Sequence, residues 1–305
     1  MSSKSLSRFC VLTDQQWARL ELLLPSNVGR RGHPFGDSRR VVEGIIYRYR
    51  TGIAWRDLPR SEFGPWQTVW KRHRRYAGDG TWDRALQLLL SEADAVGAID
   101  WAVSVDATIA RAHQHATNTT RPDQDTGALS NYKNLPLAQV EPAGHGIGRS
   151  RGGWTTKIHH AVDGSGRPLA VVVTGGQRND GAMLEQVLAD IRVPRHGGGR
   201  PRTRPDAVLA DKAYSSGVIR RALRARGISA VIPEKSDQIA ARKRRGCRGG
   251  RPPLLDTDVY KDRNVVERSF ALNKQWRGIA TRYNKLAITY RAAAVLHACI
   301  TWTRI

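Results

Sequence analysis

The chain has 305 residues, 50 Lys and Arg against 27 Asp and Glu, and a formal net charge of +23. That length allows a sizeable core and more than one typical domain, while so large a positive excess is costly in self-repulsion unless a polyanion shares the environment. No segment approaches the roughly 20 apolar residues of a bilayer span, and the basic residues are spread over several predicted elements, so nucleic acid is a better expected partner than a membrane.

Residues 1–98 read as a small all-helical unit. In LTDQQWARLELLLP, Thr13 is a plausible N-cap with Gln16 three residues on, and Pro25 ends the helix. SRRVVEGIIYRYR, the turn-rich TGIAWRDLPRSEFG and PWQTVWKRHRRYA follow, with Pro65 suited to a first helical turn. In the last of these, Trp66, Val69 and Trp70 are expected to face inward while Lys71, Arg72, Arg74 and Arg75 project outward. TWDRALQLLLSEADAV is a further amphipathic helix. Two helices, a turn and a basic helix are compatible with a helix-turn-helix DNA reader; an ordinary solvated helix face is the alternative.

From residue 99 the periodicity changes. AIDWAVSVDATIA reads as a strand; WTTKIHHAVD and PLAVVVTGG read as a hairpin joined through Gly164, Ser165 and Gly166. DGAMLEQVLADI is helical, DAVLAD a strand, SSGVIRRALRARG a helix stopped at Gly227, and ISAVIP a fifth strand. Mixed order of this kind implies a central sheet covered by helices, an α/β fold over residues 99–305. Two stretches, at about 117–153 and 235–256, read as long loops, the second carrying the basic run Arg242, Lys243, Arg244 and Arg245.

The short strands AVSVD and AVLAD each end on an aspartate, Asp106 and Asp211. Ligand sites in such sheets lie beyond strand ends, so neighbouring strands can bring two such carboxylates together, although strand-end aspartates also commonly cap the next turn. Near the C-terminus, Tyr260, Arg263, Glu267 and Lys274 stand in a proline-free stretch that a helix can run through. At about 100° per residue these four fall within an arc of about 60° on one face. A phenol, a guanidinium, a carboxylate and an ammonium make a poor core face and a good surface for a phosphodiester and a cation. If Glu267 packs over the edge holding Asp106 and Asp211, three carboxylates converge, and they repel one another unless a cation is present. Hard oxygen ligands suit Mg2+ or Mn2+, and a pair of such ions is the arrangement that serves phosphodiester displacement.

Asp106 in VDATIARAHQHA, Asp211 in LADKAYSS and the Tyr-x2-Arg-x3-Glu-x6-Lys pattern of Tyr260, Arg263, Glu267 and Lys274 resemble the DDE transposases of bacterial insertion sequences, closest to insertion sequence family five within the family-four-like group. GGWTTKIHHAVDGSGRPLAVVVTGGQRNDG is similar to that family's second and third strands, and LTDQQWARLELLLP and GIAWRDLP to its helical N-terminal domain. The resemblance covers nearly the whole chain. It implies a ribonuclease-H-like mixed sheet with flanking helices, preceded by a helix-turn-helix-like domain, with Asp106, Asp211 and Glu267 catalytic and holding Mg2+ or Mn2+, two ions in all. It implies that Tyr260, Arg263 and Lys274 hold DNA, that the partners are double-stranded terminal inverted repeats and target DNA, and that a homodimer synapses two ends. Only 55 residues separate Asp211 from Glu267, so a loop is expected there instead of the β-rich insertion of larger relatives.

Other features carry less. His113 and His115 have no nearby Cys or second spaced pair, which argues against zinc, and His159 and His160, adjacent in a strand, point to opposite faces. RHGGGRPR at 195–202 lacks the lysine and hydroxyl of a phosphate-binding loop. The basic run at 241–251 reads as a DNA-clamping loop or a solvated one. Cys10, Cys247 and Cys299 form no CxxC pair and suggest a reducing compartment, and MSSKSLSRFCVLTD begins no secretory signal, so a cytoplasmic, nucleoid-associated place of work is expected. A metal-dependent nuclease without strand transfer needs the same carboxylates, and a non-catalytic repressor-like copy would bind DNA alone; both stay open from sequence.

Overall fold

The structure is a computed structural model that describes residues 11–26, 36–117 and 145–304. Helices come first: α1 (Asp14–Glu21), α2 (Ser38–Thr51), α3 (Trp66–Gly78) and α4 (Thr81–Ala95), with a single helical turn at Arg60–Phe63 between α2 and α3. Thr13 caps α1 in a reciprocal box with Gln16, each side chain accepting from the other's backbone N–H at 3.1 Å. Two orphan donors are satisfied by residues already identifiable in the sequence.

The five predicted strands all form. β1 (Ala102–Ala112) pairs antiparallel with β3 (Gly153–Val162), which pairs antiparallel with β4 (Pro168–Gly175). On its other edge β1 runs parallel to β5 (Ala207–Leu209), and β5 parallel to β6 (Ser229–Val231). The order β4-β3-β1-β5-β6, three antiparallel strands followed by two parallel ones, is the ribonuclease-H-like sheet. Two short strands were not foreseen. β2 (Gly148–Ser150) extends β3 by a hairpin, and β7 (Thr281–Arg282) lies parallel to the end of β1. Most of the polar stretch expected as a loop at 117–153 lies outside the described residues.

Helices α5 (Asp180–Asp190) and α6 (Gly217–Ala225) connect the later strands, and α10 (Ala287–Trp302) closes the fold. α10 is apolar nearly all round, and such a helix must be enclosed. It lies between the N-terminal helices and the sheet: Trp302 donates its indole N–H to the Pro168 carbonyl at 2.7 Å, while Arg291 pairs with Asp83 of α4 and donates to the Val171 carbonyl of β4 at 2.7 Å. One hydrophobic core consequently runs from Trp82 and Leu89 through Leu296 to Val103 and Val171.

The stretch at 235–256 departs from expectation. It contains α7 (Ser236–Arg244) and a further tight turn at Gly246–Gly249, so Arg242, Lys243 and Arg244 sit on a helix, not on a loop. Between Ser236 and Arg244 there is neither proline nor glycine, Ala, Gln, Lys and Arg are strong helix formers, and Gln238 accepts from the Lys235 N–H at 3.2 Å to start the turn. The late helical run is likewise in two parts, α8 (Thr257–Lys261) and α9 (Val265–Lys274), joined by a 3-10 turn at Asp262–Asn264.

Candidate active site

Alternation along β1 sets the first position. Val103 and Val105 face the main core, so Ser104 and Asp106 face the opposite side of the sheet. Asp106 is directly opposite His160 of β3, and His160 stacks on Phe270 of α9 with ring centroids 4.7 Å apart. The face that carries Asp106 is therefore the face that α9 covers.

A small apolar cluster seats α9 there: Val265, Val266 and Phe270 against Val162. The β3–β4 turn abuts the start of the helix. Gly166 has φ +84°, and a Cβ there would come within 3.1 Å of the Val265 carbonyl oxygen, so turn conformation and close approach both call for glycine. With those inward positions fixed, Glu267 in the first turn of α9 points out of the cluster and is exposed.

Asp211 arrives from the neighbouring parallel strand. The pairing of β1 with β5 ends at Ser104 and Leu209, and Asp211 follows two residues later, near enough to Asp106 for its charge to act on that carboxyl. Asp211 also does what strand-end aspartates ordinarily do: its carboxylate accepts from the Ala213 N–H at 2.8 Å and caps the 3-10 turn Lys212–Tyr214.

Arg263 ties the set together. Its guanidinium donates to Asp106 Oδ2 at 3.2 Å and to Glu267 Oε1 at 2.6 Å, so a strand carboxylate and a helix carboxylate 161 positions apart share one cation. Burial pushes the Asp106 carboxyl above the usual carboxylate range. The Ala107 N–H and Arg263 pull it back, and the charge of Asp211 adds to the rise. Among the described residues no three His, Cys, Asp or Glu side chains stand together as a metal-binding group. The place between Asp106 and Glu267 is held by the guanidinium. The donors fit Mg2+ or Mn2+ in kind, being hard carboxylate oxygens around a position that already holds positive charge.

The remaining stripe residues lie along the same helical run. Lys274 donates to the Ile109 carbonyl of β1 at 3.0 Å, and burial lowers its pKa. Tyr260 is half-buried and near enough to Arg263 to act on its charge. Two groups at this edge escaped sequence reasoning. The Tyr214 hydroxyl is buried with no hydrogen-bond partner among the described residues, and burial together with Asp106, Asp180 and Asp211 pushes its pKa upward. Asp180 pairs with Lys157 of β3 at 2.8 Å. Tyr214 stands three residues after Asp211, a spacing that would have pointed to it.

The two histidine pairs separate. His159 bonds Thr174 across the sheet at 2.9 Å while His160 meets α9, so they face opposite sides as adjacent strand residues must. His113 stacks on Tyr283 at 4.9 Å and on His115 at 4.8 Å.

The basic helix needs one correction. Lys71, Arg74 and Arg75 are exposed, but Arg72 is only 7% exposed and donates to the Tyr76 hydroxyl at 3.2 Å. Helical geometry explains this, since residue 72 shares the inward arc of Val69, His73 and Tyr76. Trp66 and Trp70 are half-buried beside the buried Val69. In α7, Arg242 is engaged by Glu234 in an ion pair, while Lys243, Arg244 and Arg245 are exposed.

A family profile described as "Transposase DDE domain" matches residues 98–302. The chain belongs to the DDE transposase family. A second profile, "Putative transposase of IS4/5 family", matches residues 12–86. The chain is 35% identical over 145 residues to a "Putative transposase for insertion sequence element IS402" of Burkholderia cepacia, covering 48% of this chain and 61% of that protein. It is 36% identical over 111 residues to an uncharacterized protein, y4sN, of Sinorhizobium fredii, covering 36% and 83%. A "Putative transposase for insertion sequence element IS6501" of Brucella ovis is 28% identical over 150 residues, covering 49% of this chain and 99% of that one. Among the described residues, no helix of this DDE transposase is long and apolar enough to cross a membrane.

Proposed function

We propose that this chain binds the terminal inverted repeats of an insertion sequence, nicks DNA there by metal-dependent hydrolysis and transfers the freed 3′ ends to target DNA. The observation that carries the proposal is the shared guanidinium. Asp106 and Glu267 reach one cation from a strand and a helix remote in sequence, and the charge of Asp211, which follows the neighbouring strand, acts on Asp106.

Asp106, Asp211 and Glu267 would hold Mg2+ or Mn2+, as two ions. Bound there, the metal supplies activation of the attacking hydroxyl and stabilisation of the leaving oxygen. The chain's own residues do the positioning. Arg263 is half-buried, so its planar fork is held ready for a phosphodiester in place of the carboxylates. Lys274 offers a point charge from the far end of the same stripe, and Tyr260 a ring and a hydroxyl at the near end. In the nick, a water oxygen bonds to phosphorus and the bond to the 3′ oxygen breaks, leaving a 3′-hydroxyl and a 5′-phosphate. In transfer, that 3′-hydroxyl bonds to a target phosphorus and displaces the target's own 3′ oxygen. Both steps rely on positioning and electrostatics, and neither needs a covalent enzyme intermediate.

Residues 1–98 form the DNA-binding part of this reading, with Lys71, Arg74 and Arg75 of α3 presented to the duplex and Lys243, Arg244 and Arg245 clamping beside the active edge. Two ends are held by a homodimer, and the work is done in the cytoplasm on the nucleoid. Incubation of a labelled element end with supercoiled plasmid and Mg2+ tests the reading: covalent transfer of label to plasmid is expected. Nicking without joined product would make the chain a nuclease, and end binding with neither product would make it a non-catalytic repressor.

A further inference from the structure

The parallel pairing of β1 with β5 gives the sheet two distinct ends. Asp106 and Asp211 lie toward one; Trp101 and Asp206 stand at the other, just before the strands begin. At that second end is a cleft of about 620 Å3 lined by Arg195, Arg200, Arg202, Arg204 and Arg226, with Asp206 as its acidic residue. It contains the Gly-rich segment RHGGGRPR, which the catalytic reading leaves without a role.

The cleft is built, not a chance gathering of surface charge. Val193 and Arg202 exchange backbone hydrogen bonds at 2.9 and 2.8 Å, closing the glycine loop between them. The Arg202 guanidinium lies 3.9 Å from the Trp101 ring centroid and donates to Asp206 at 2.9 Å, which fixes its plane. Arg226 donates to the Thr203 carbonyl at 3.2 Å. Arg195, Arg200 and Arg204 have no ion-pair partner among the described residues. Five guanidiniums against one carboxylate leave an uncompensated positive concavity. That every cation in it is arginine favours an anion with two oxygens spaced for the planar guanidinium fork, as the non-bridging oxygens of a phosphodiester are, over a spherical ion.

We infer that this cleft is a second, sequence-independent binding site for the phosphodiester backbone of DNA, away from the phosphate that is cut. The inference rests on the proposed action on DNA. Asp206 and Asp211 are five residues apart on extended chain, roughly 16 Å at 3.3 Å per residue. One phosphate cannot fill both places, so the cleft engages flanking DNA or a second duplex.

The test is the variant Arg195→Gln/Arg200→Gln/Arg204→Gln, which leaves the stacked Arg202 in place. Affinity for a random-sequence duplex is measured across salt concentrations, beside Mg2+-dependent nicking at low salt. Three lost phosphate contacts should flatten the log–log salt dependence by about 2 to 3, at about 0.9 per contact, while low-salt nicking persists. An unchanged slope in a variant whose parent nicks DNA overturns the cleft but spares the active site. A parent that nicks no DNA sinks the proposed function instead. Loss of pyrophosphate binding by calorimetry with an unchanged DNA slope would reassign the cleft to small anions. If the triple variant does not fold, arginine modification by phenylglyoxal on the parent decides: DNA should shield Arg195, Arg200 and Arg204, and undiminished reactivity refutes the inference.

Discussion

Replacing Arg263 by alanine separates two roles that the structure gives one side chain. The guanidinium donates to Asp106 at 3.2 Å and Glu267 at 2.6 Å, with side-chain exposures of 17% for Arg263, 23% for Asp106 and 55% for Glu267. Ion pairs open to water contribute about 0–1 kcal/mol each. The half-buried Asp106 contact belongs at the upper end of that range and the exposed Glu267 contact lower, so together they oppose an entering divalent cation by about 1–2 kcal/mol. Removing them should tighten Mn2+ binding about 5- to 30-fold, read by calorimetry or by the free Mn2+ signal in electron paramagnetic resonance on DNA-free protein. Strand cleavage should move the opposite way, falling because the phosphate fork is lost. A variant that binds Mn2+ no better than the parent would show that Arg263 does not stand where the cation goes.

Other consequences are smaller in scope. Arg282 is fully buried and donates to the carbonyls of Gly146, Asn284 and Lys285 and to the Thr156 hydroxyl; Arg282→Met should orphan those acceptors and cost about 3–5 kcal/mol in urea unfolding, and a loss below about 1 kcal/mol would contradict the buried network. In α3, Lys71→Ala/Arg74→Ala/Arg75→Ala should weaken recognition of element ends more than random DNA, whereas Arg72→Ala should lower thermal stability and leave affinity intact; equal losses on both DNAs would reduce the helix to non-specific charge. Burial holds His73 and His297 down to about 4 and His160 to about 3. Because the unfolded chain takes up those protons first, near 6.5, stability should be complete above that pH and decline as pH falls toward 4, and a melting temperature that stays flat down to pH 4.5 would refute this.

Much of the frame was legible in the residues because its signals are local. Alternation in AVSVD and KIHHAV, the glycine turn before β4 and the Thr13–Gln16 box each specify their own element. The carboxylate positions were legible only in part: Asp211 does follow the end of its strand, but Asp106, expected at a strand end, sits mid-strand because β1 runs on to Ala112 through its pairing with β3. What escaped depends on tertiary contacts. β7 is two residues long and exists only through pairing with the end of β1. α7 was hidden by charge, since a basic run reads as loop although Ala, Gln, Lys and Arg favour helix. Arg72 turned inward because the helix phase outweighs its charge once Tyr76 offers a hydroxyl. That Arg263 would lie between two carboxylates could not be read from the spacing, which fixes a shared helix face but not the rotamer.

The most direct measurement is Mg2+-dependent cleavage of an element-end duplex by Asp106→Asn, Asp211→Asn and Glu267→Gln, with duplex affinity recorded alongside. Each substitution keeps the side-chain shape and removes the charge, so cleavage should fall at least a thousandfold, about 4 kcal/mol of barrier, while binding stays within a few fold of the parent. Cleavage at the parent's rate by any one of the three would remove that carboxylate from the chemistry.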